Sequence, residues 1–430
     1  MAKQIEEQII EGESDTEQIV EKVERKKPYQ PYLDAELGLR NHWYAAMFAE
    51  EISEGECRGE MCLGERILFK RAGGKVYALA DRCPHRGAAF SARPECYTEN
   101  TVTCWLHGFT FDVRDGTLVQ ILTDPESTHI GRLKHKTYPV EEINGVVFVF
   151  IGDIDPPPIE QDLQPKFTKP KLVIHPICRS KVRGNWRIAV ENGFDAAHIY
   201  GHRNAGVFKA APDIAVALCT YPSTKEAVTI HDEDSEPFGI IKLDDNSVWT
   251  AEIEGVNVTA ANVDPDNPPP DGEFEVGVWM PCSLDVEPFP LPGLLHFEWY
   301  TPIDEDHHSY MIAHGKYVDS PEEEAEFHTL CEQVAGPFVW RGPEGQNDPV
   351  GDGADWGFNN FDAFGREQLH HVYQYEDYWH KELLYRPDYI IVRWRMLVTK
   401  RMRGLQQWGD WSSPRGWSPD GHNFDPGKHK

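Results

Sequence analysis

The chain has 430 residues, with 42 Lys+Arg against 71 Asp+Glu and a net charge of −29. That length allows about two to four domains, and 40% apolar residues with 11% aromatics exclude a disordered chain. The acidic excess excludes nucleic acid and anionic membranes as partners, because their phosphates repel it.

Residues 1–27 are charged, with Ile9, Ile10, Ile19 and Val20 spaced for a short amphipathic helix that Pro28 and Pro31 end. The first residues contain no apolar core segment, so no signal peptide is read there. No apolar run reaches the roughly 20 residues that a membrane helix needs. A cytoplasmic location is the expectation. From Ile67 to about Gly152 the runs ILFK, KVYALA, TVTCW, FTFDV and GVVFVFIG predict strands. GGK (73–75), RDG (114–116) and ING (143–145) supply the turns. GDIDPPP (152–158) breaks all pairing and reads as a linker. Beyond it come a helix over 185–204 and strands near 226–231, 247–259, 274–280, 294–302 and 308–315. Helices are expected over about 320–335, 359–384 and 386–403. The loops at 232–237 and 263–273 are acidic and contain proline. The tail from Trp408 has no periodicity. A small all-β domain followed by a larger α+β domain is the predicted architecture.

Nine cysteines are an odd number in a large chain, which favours metal ligation over a disulfide framework. Cys83-Pro-His85 and Cys104-Trp-Leu-His107 each supply one thiolate and one imidazole from a hairpin loop. A Cys₂His₂ zinc site uses the same ligand types, but pairs Cys with Cys along the chain. The mixed arrangement suits a Rieske [2Fe–2S] cluster, with both thiolates on one iron and both imidazoles on the other. Gly87 and Gly108 are expected to let backbone N–H groups approach the cluster sulfurs. The remaining seven cysteines read as buried structural thiols.

A second signal lies in the 185–204 helix. His198 and His202 are four residues apart and share one face, with Asp195 a turn before them. Two histidines and a carboxylate make the facial triad of non-haem Fe(II) oxygenases. A solvated polar stripe is the ordinary alternative, and the apolar flanks weaken it. Asp195, Asp362 and Glu367 are all candidates for the carboxylate.

The two motifs, in this order, resemble the large subunit of the Rieske-type ring-hydroxylating oxygenases over roughly residues 40–403. Within that family the wording is most similar to the carbazole-type enzymes. RNHWYAAMF (40–48), IGRLKHKTYPV (130–140), NWRIAVENGFDAAHIYGH (185–202), FEWYTPIDE (297–305) and GFNNFD (357–362) carry that likeness. The resemblance implies a fold of class α+β, a Rieske [2Fe–2S] all-β domain followed by a helix-grip catalytic domain. It divides the chain into an N-terminal segment (1–40), the Rieske domain (41–155), the catalytic domain (156–407) and a C-terminal tail (408–430).

It implies that Cys83, His85, Cys104 and His107 hold the cluster, and that His198, His202 and Asp362 hold a mononuclear non-haem Fe(II). Asp195 would then bridge His198 to the cluster histidine of a neighbouring subunit, in a homotrimer that lacks a second subunit type. Gly193, Val276, Phe289, His296, Phe358 and Asn359 match substrate-pocket positions, with the Gly193 carbonyl facing a ring N–H. Val276 and His296 stand where a larger aliphatic and an amide are expected. Electrons would come from a separate NAD(P)H reductase through a ferredoxin, since no nucleotide fingerprint is present. The basic run Gly131–Lys136 is a candidate docking patch, or equally a solvated strand edge. The expected reaction is angular cis-dihydroxylation of carbazole-like fused heteroaromatics by O₂. A Rieske monooxygenase or dioxygenase on another heteroaromatic is the nearest competitor, and a non-catalytic zinc or redox-relay protein is the competitor from another class.

Overall fold

The computed structural model describes residues 27–202, 228–231, 238–243, 250–254, 256–259, 274–340, 357–385 and 388–409. The expected N-terminal helix, the acidic loops, the 341–355 segment, Cys219 and the tail beyond Gly409 lie outside the described residues.

Residues 42–151 form three antiparallel sheets. The first joins β1 (His42–Phe48), β10 (Val146–Ile151) and β9 (Val140–Ile143). The second joins β2 (Cys57–Cys62), β3 (Glu65–Ala72), β4 (Lys75–Ala80) and β8 (Thr137–Tyr138). The third joins β5 (Thr101–Thr103), β6 (Phe109–Asp112) and β7 (Leu118–Ile121). The expected turns are where the strands reverse. Asn144 and Gly145 have φ of 46° and 77°, the left-handed pair that matches strand twist in a two-residue hairpin.

The continuous apolar run of β10 has a physical reason. Val147, Val149 and Ile151 face one core, and Val146, Phe148 and Phe150 face another that contains Phe167, Phe297 and Trp299. A strand covered on both faces cannot alternate with polar residues.

The second unit is built on a seven-stranded antiparallel sheet. Its order is β11 (Leu172–Arg183), β19 (His307–Tyr317), β18 (Leu295–Pro302), β17 (Ser283–Glu287), β16 (Phe274–Trp279), β13 (Phe238–Leu243) and β12 (Val228–His231). The run expected near 247–259 is a hairpin of β14 (Thr250–Ile253) and β15 (Val256–Thr259), turning at Glu254 in the left-handed region. β11 was hidden by Pro176, which falls beside a register shift.

The helix expected over 185–204 is broken. α1 covers Trp186–Phe194, with Asn185 capping the N–H of Arg187. A 3₁₀ turn follows at Ala196–His198, then the short α2 (Ile199–His202). α3 (Pro321–Leu330) runs on through a π turn at Cys331–Ala335. α4 (Phe358–Tyr375) stops before Asp377, whose φ is 53°, and α5 is Tyr389–Arg401. α1 packs on β16, β17 and β18, and α4 lies against α1 and β11.

Asp162 ties the two units together. Its carboxylate accepts from His42 Nδ1 at 2.8 Å, the Trp43 N–H at 3.0 Å, and Arg403 Nη1 and Nη2 at 2.8 and 2.9 Å. Thr301 Oγ1 adds a bond to the Ala45 carbonyl at 2.6 Å.

Candidate metal centres

Two loops at one end of the first unit follow one hydrogen-bond plan. The Cys83 N–H donates to the Ala88 carbonyl, and the Gly87 N–H returns to the Cys83 carbonyl, both at 2.8 Å. The Cys104 N–H donates to the Phe109 carbonyl at 2.7 Å, and the Gly108 N–H returns to the Cys104 carbonyl at 2.9 Å. Both glycines have positive φ, and a Cβ on Gly108 would lie 2.7 Å from Leu122 Cβ. The glycine N–H groups close the turns, and the turns bring other backbone N–H groups to the sulfurs, as expected of Gly87 and Gly108. The N–H groups that reach sulfur are those of His85 and Arg86 for Cys83, and of Leu106 and His107 for Cys104. They stabilise thiolate at both positions.

The Cys83 thiol donates to the Cys104 sulfur, which pushes Cys83 up and Cys104 down. The His85 and His107 rings meet edge to face at 4.4 Å. All four donors do not converge on one point, as a single zinc would require. Among the described residues, the only group of three or more donors within 4.8 Å of one another lies elsewhere. Thiol paired with thiol and imidazole paired with imidazole fits two metal ions, one per pair. The thiols are buried, His85 is exposed and His107 is half-buried.

The other group is His198, His202 and Asp362. Asp362 Oδ1 lies 3.1 Å from His198 Nε2 and 3.0 Å from His202 Nε2. The break in the helix makes this possible. Asp195 is the C-cap of α1, with ψ 99°, so the chain turns before His198. The Asp195 carboxylate does not lie on the His198 ring. Its Oδ1 accepts from the Ala197 N–H at 2.9 Å, and its main-chain carbonyl accepts from His198 Nδ1. That carbonyl bond directs His198 Nε2 toward the shared point.

Burial alone would raise Asp362, but the two imidazoles override it and hold the carboxyl well below its usual range. Burial also opposes a charge on His198, yet Asp362 draws it up, while burial keeps His202 down. Burial raises Asp195. Two nitrogens and one oxygen converging in a buried site fit one divalent iron with positions left open on the far side.

Residues 150–406 match the family described as homotrimeric ring hydroxylase, and residues 42–139 match the Rieske [2Fe-2S] domain. The chain belongs to the Rieske ring hydroxylases. It therefore carries a [2Fe–2S] cluster and a mononuclear non-haem iron. The terminal oxygenase component of carbazole 1,9a-dioxygenase from Sphingomonas sp is 40% identical over 391 residues, 89% of this chain and 97% of that protein. The solved terminal oxygenase of carbazole 1,9a-dioxygenase from Nocardioides aromaticivorans IC177 has a TM-score of 0.77 and 37% identity, covering 89% of this chain and 99% of that one. A reduced complex between oxygenase and ferredoxin in carbazole 1,9a-dioxygenase contains a chain with the same TM-score and identity, covering 89% of this chain and 94% of that one.

In this ring hydroxylase three of the six expected substrate residues form a chain of ring contacts that starts at His202. Phe358 stacks on His202 at 3.9 Å, Phe289 meets Phe358 at 5.2 Å, and His296 meets Phe289 edge to face at 5.1 Å. Val276, Val286 and His296 are aligned across three strands. Gly193 lies in the last turn of α1, where a Cβ would sit 2.1 Å from Tyr300 Oη. In an unbroken helix its carbonyl would accept from the Ala197 N–H, but Asp195 Oδ1 has taken that donor.

Asn359 is engaged behind this face, with Nδ2 on Glu298 Oε1 at 2.8 Å and also on Tyr310 Oη. His296 Nε2 donates to Glu298 Oε1 at 2.6 Å, and Tyr300 Oη donates to Glu298 Oε2. Arg366 lies over Tyr310 and Tyr300 and donates to Asn192 at 2.7 Å. Sequence reading missed Glu298, Tyr300, Tyr310 and Arg366. The period of two through His296, Glu298 and Tyr300 was the available signal, since three polar groups on one face of a core strand need partners.

A cleft of about 790 Å³ is lined by Asp195, His198, His202, Asp362, Leu369 and Leu383. Its rim is apolar and exposed, with Leu383 92% exposed. Trp105, Leu106 and Leu122 form a similar exposed apolar rim around the cluster loops. The basic run fares worse. His135 is buried against the Ala80 carbonyl, Lys136 pairs with Glu65, and Lys134 pairs with Asp115 at 2.8 Å. Of the basic side chains in that run, only Arg132 and Lys134 are exposed.

Proposed function

We propose that this chain is the terminal oxygenase of a multicomponent system that dihydroxylates carbazole-like fused heteroaromatics at the angular position. The observation that carries the reading is the aromatic wall built directly on the iron site, from His202 through Phe358 and Phe289 to His296. In this reading Cys83, His85, Cys104 and His107 hold the cluster, and His198, His202 and Asp362 hold the iron. When bound, the cluster passes electrons one at a time and the iron activates O₂.

The chain's own residues do the rest. Phe289 and Phe358 bind flat rings by area and by edge contacts. The Gly193 carbonyl, stripped of its helical donor by Asp195, accepts a ring N–H and sets which carbons face the metal. Val276 and His296 bound the far end, with Asn359 fixed behind them through Glu298. The His296 ring nitrogens are turned to Glu298 and His314, so it offers an edge where an amide would offer polar atoms.

The exposed imidazole edge of one subunit docks in the cleft of the next, beside Asp195, in a closed threefold ring. A ferredoxin, itself reduced by a separate NAD(P)H reductase, supplies the electrons. The domain division at 41–155 and 156–407 and a cytoplasmic location complete the reading. In support of the last, no helix among the described residues is long and apolar enough to cross a membrane.

The test is turnover of carbazole with ferredoxin, reductase, NADH and isotopically labelled O₂. The expected product is 2′-aminobiphenyl-2,3-diol with both new oxygens labelled. A ring-hydroxylated carbazole with one labelled oxygen would assign a monooxygenase.

A further inference from the structure

Apart from the metal centres, the Rieske unit holds a second pair of thiols. Cys57 stands on β2, and Cys96 on the segment that leads into β5. Their sulfurs are 3.4 Å apart. Lys70 is the cross-strand neighbour of Cys57, and its side chain is buried. Its ammonium hydrogen-bonds the Cys96 sulfur. A buried ammonium needs an anion beside it, and a thiolate satisfies that need where a thiol does not. The hydrogen bond from Cys57 and the Lys70 charge both draw Cys96 down, and Cys57 is driven up in exchange.

Cys96 is also exposed. That overturns the expectation of a buried structural thiol, which Cys62, Cys282 and Cys331 do meet. A low, exposed thiolate with a second thiol in contact is the arrangement of redox-active cysteines. The segment is stitched to the cluster loop as well. The Thr103 N–H donates to the Glu95 carbonyl at 2.8 Å, and Thr103 precedes Cys104.

We propose that Cys57 and Cys96 form a dithiol that reacts with hydrogen peroxide, with Cys96 as the attacking thiolate, Cys57 as the resolving thiol and Lys70 as the fixed cation. The Cys96 sulfur attacks one peroxide oxygen, the O–O bond breaks, and hydroxide leaves with a proton from solvent as water. Cys96 is now a sulfenic acid. Cys57 sulfur then attacks Cys96 sulfur, the S–O bond breaks, and hydroxide leaves with the Cys57 proton. The balance is two thiols and one peroxide to one disulfide and two waters. A cellular dithiol reverses it.

The oxidant has a source in the oxygenase itself. O₂ that takes two electrons and two protons without oxidising substrate leaves as hydrogen peroxide. The source rests on the proposed oxygenase function, whereas the thiol chemistry does not. The disulfide would tie β2 to the segment preceding a cluster ligand, and so mark the subunit that leaks peroxide.

The experiment adds peroxide directly to the intact holoenzyme trimer, so its outcome does not depend on turnover. Free thiols are then alkylated and the peptides are mapped without reduction. A peptide linked between Cys57 and Cys96, the loss of two titratable thiols per chain and recovery with dithiothreitol are expected. In Cys57→Ser, dimedone should trap a sulfenic acid at Cys96. In Lys70→Met, oxidation at neutral pH should slow several-fold, as the thiol pKa rises from below the working pH toward the free-cysteine value of about 8.5. The pH profile of Cys96 alkylation in the unsubstituted protein checks the same point without a variant, and its midpoint should lie below that of an ordinary cysteine. Both thiols fully alkylated after peroxide, or a Cys96 midpoint in the ordinary range, would overturn the proposal.

Discussion

The two metal centres are built by opposite means. The cluster end consists of two short turns with one hydrogen-bond plan, each carrying its own Cys and His. The proposed iron end takes two histidines from a broken helix and a carboxylate from α4, 160 residues beyond His202. At the cluster the thiols are buried and the imidazoles face outward. At the iron His202 and Asp362 are buried, and His198 is partly so. A centre that hands on electrons must show an edge to its partner. A centre that activates O₂ beside an apolar ring must be walled off from water. The difference in construction follows from the difference in task.

That contrast is broken most severely by removing ligands. Asp362→Ala should abolish turnover and empty the mononuclear site while the EPR signal of the reduced cluster persists. Cys104→Ser should do the converse. Metal analysis of both variants decides the matter, because the two sites share no donor. If either substitution emptied both sites, the assignment would fail.

Asp195→Asn comes next. Asn keeps an oxygen for the Ala197 N–H but loses the charge beside the cleft. Both metals should remain, while reoxidation of the cluster by substrate and O₂ slows by about 10–100-fold, the loss expected of a carboxylate that accepts from the neighbouring subunit's cluster histidine, as proposed for Asp195. Stopped-flow absorbance of the cluster measures it, and unchanged reoxidation would remove Asp195 from the electron path.

A smaller effect tests the joint that holds the centres in place. Burial would raise Asp162, but His42 and Arg403 outweigh it and depress its carboxyl. A carboxyl depressed in the folded state adds stability above its unfolded value, near about 4, and loses it as pH falls through the folded value. Asp162→Asn should therefore cost about 2–3 kcal/mol at pH 7. The gap to the unsubstituted protein should close below about pH 4. Denaturant midpoints across pH measure this, and a gap independent of pH would contradict it.

The smallest effect belongs to ferredoxin docking. Lys134 is already engaged by Asp115, so Arg132 is the stronger test. Arg132→Glu should slow ferredoxin-driven reduction at low salt more than at high salt, because the field reaches only about 10 Å at 0.1 M. Dithionite reduction should not change. Equal slowing at both salt levels would place docking elsewhere.

Local patterns told most of the first unit. The turns read from sequence are Gly-Gly, Asp-Gly and Asn-Gly, and its proposed cluster donors sit two and three residues apart, so both were visible in short windows. The second unit was less legible where the chain departs from periodicity. His198 and His202 looked like one face of one helix, yet the Asp195 side chain captures the Ala197 N–H and breaks that helix. Asp362 could be singled out only by resemblance, since Asp195 and Glu367 were equal on residue type. The buried network of Glu298, Tyr300, Tyr310 and Arg366 belongs to strands and helices that meet only in the fold.

The sequence by itself determined the order of the two units, the Cys and His pairs proposed to hold the cluster and the two histidines proposed for the iron. Those features depend on neighbours a few residues apart, whose geometry is set by bond lengths and turn conformations. Only the tertiary structure decided which carboxylate meets the two histidines, which N–H groups reach the Cys83 and Cys104 sulfurs and which cysteines touch. Each of those depends on where distant strands and helices pack, and packing is set by the whole core rather than by any window of the chain.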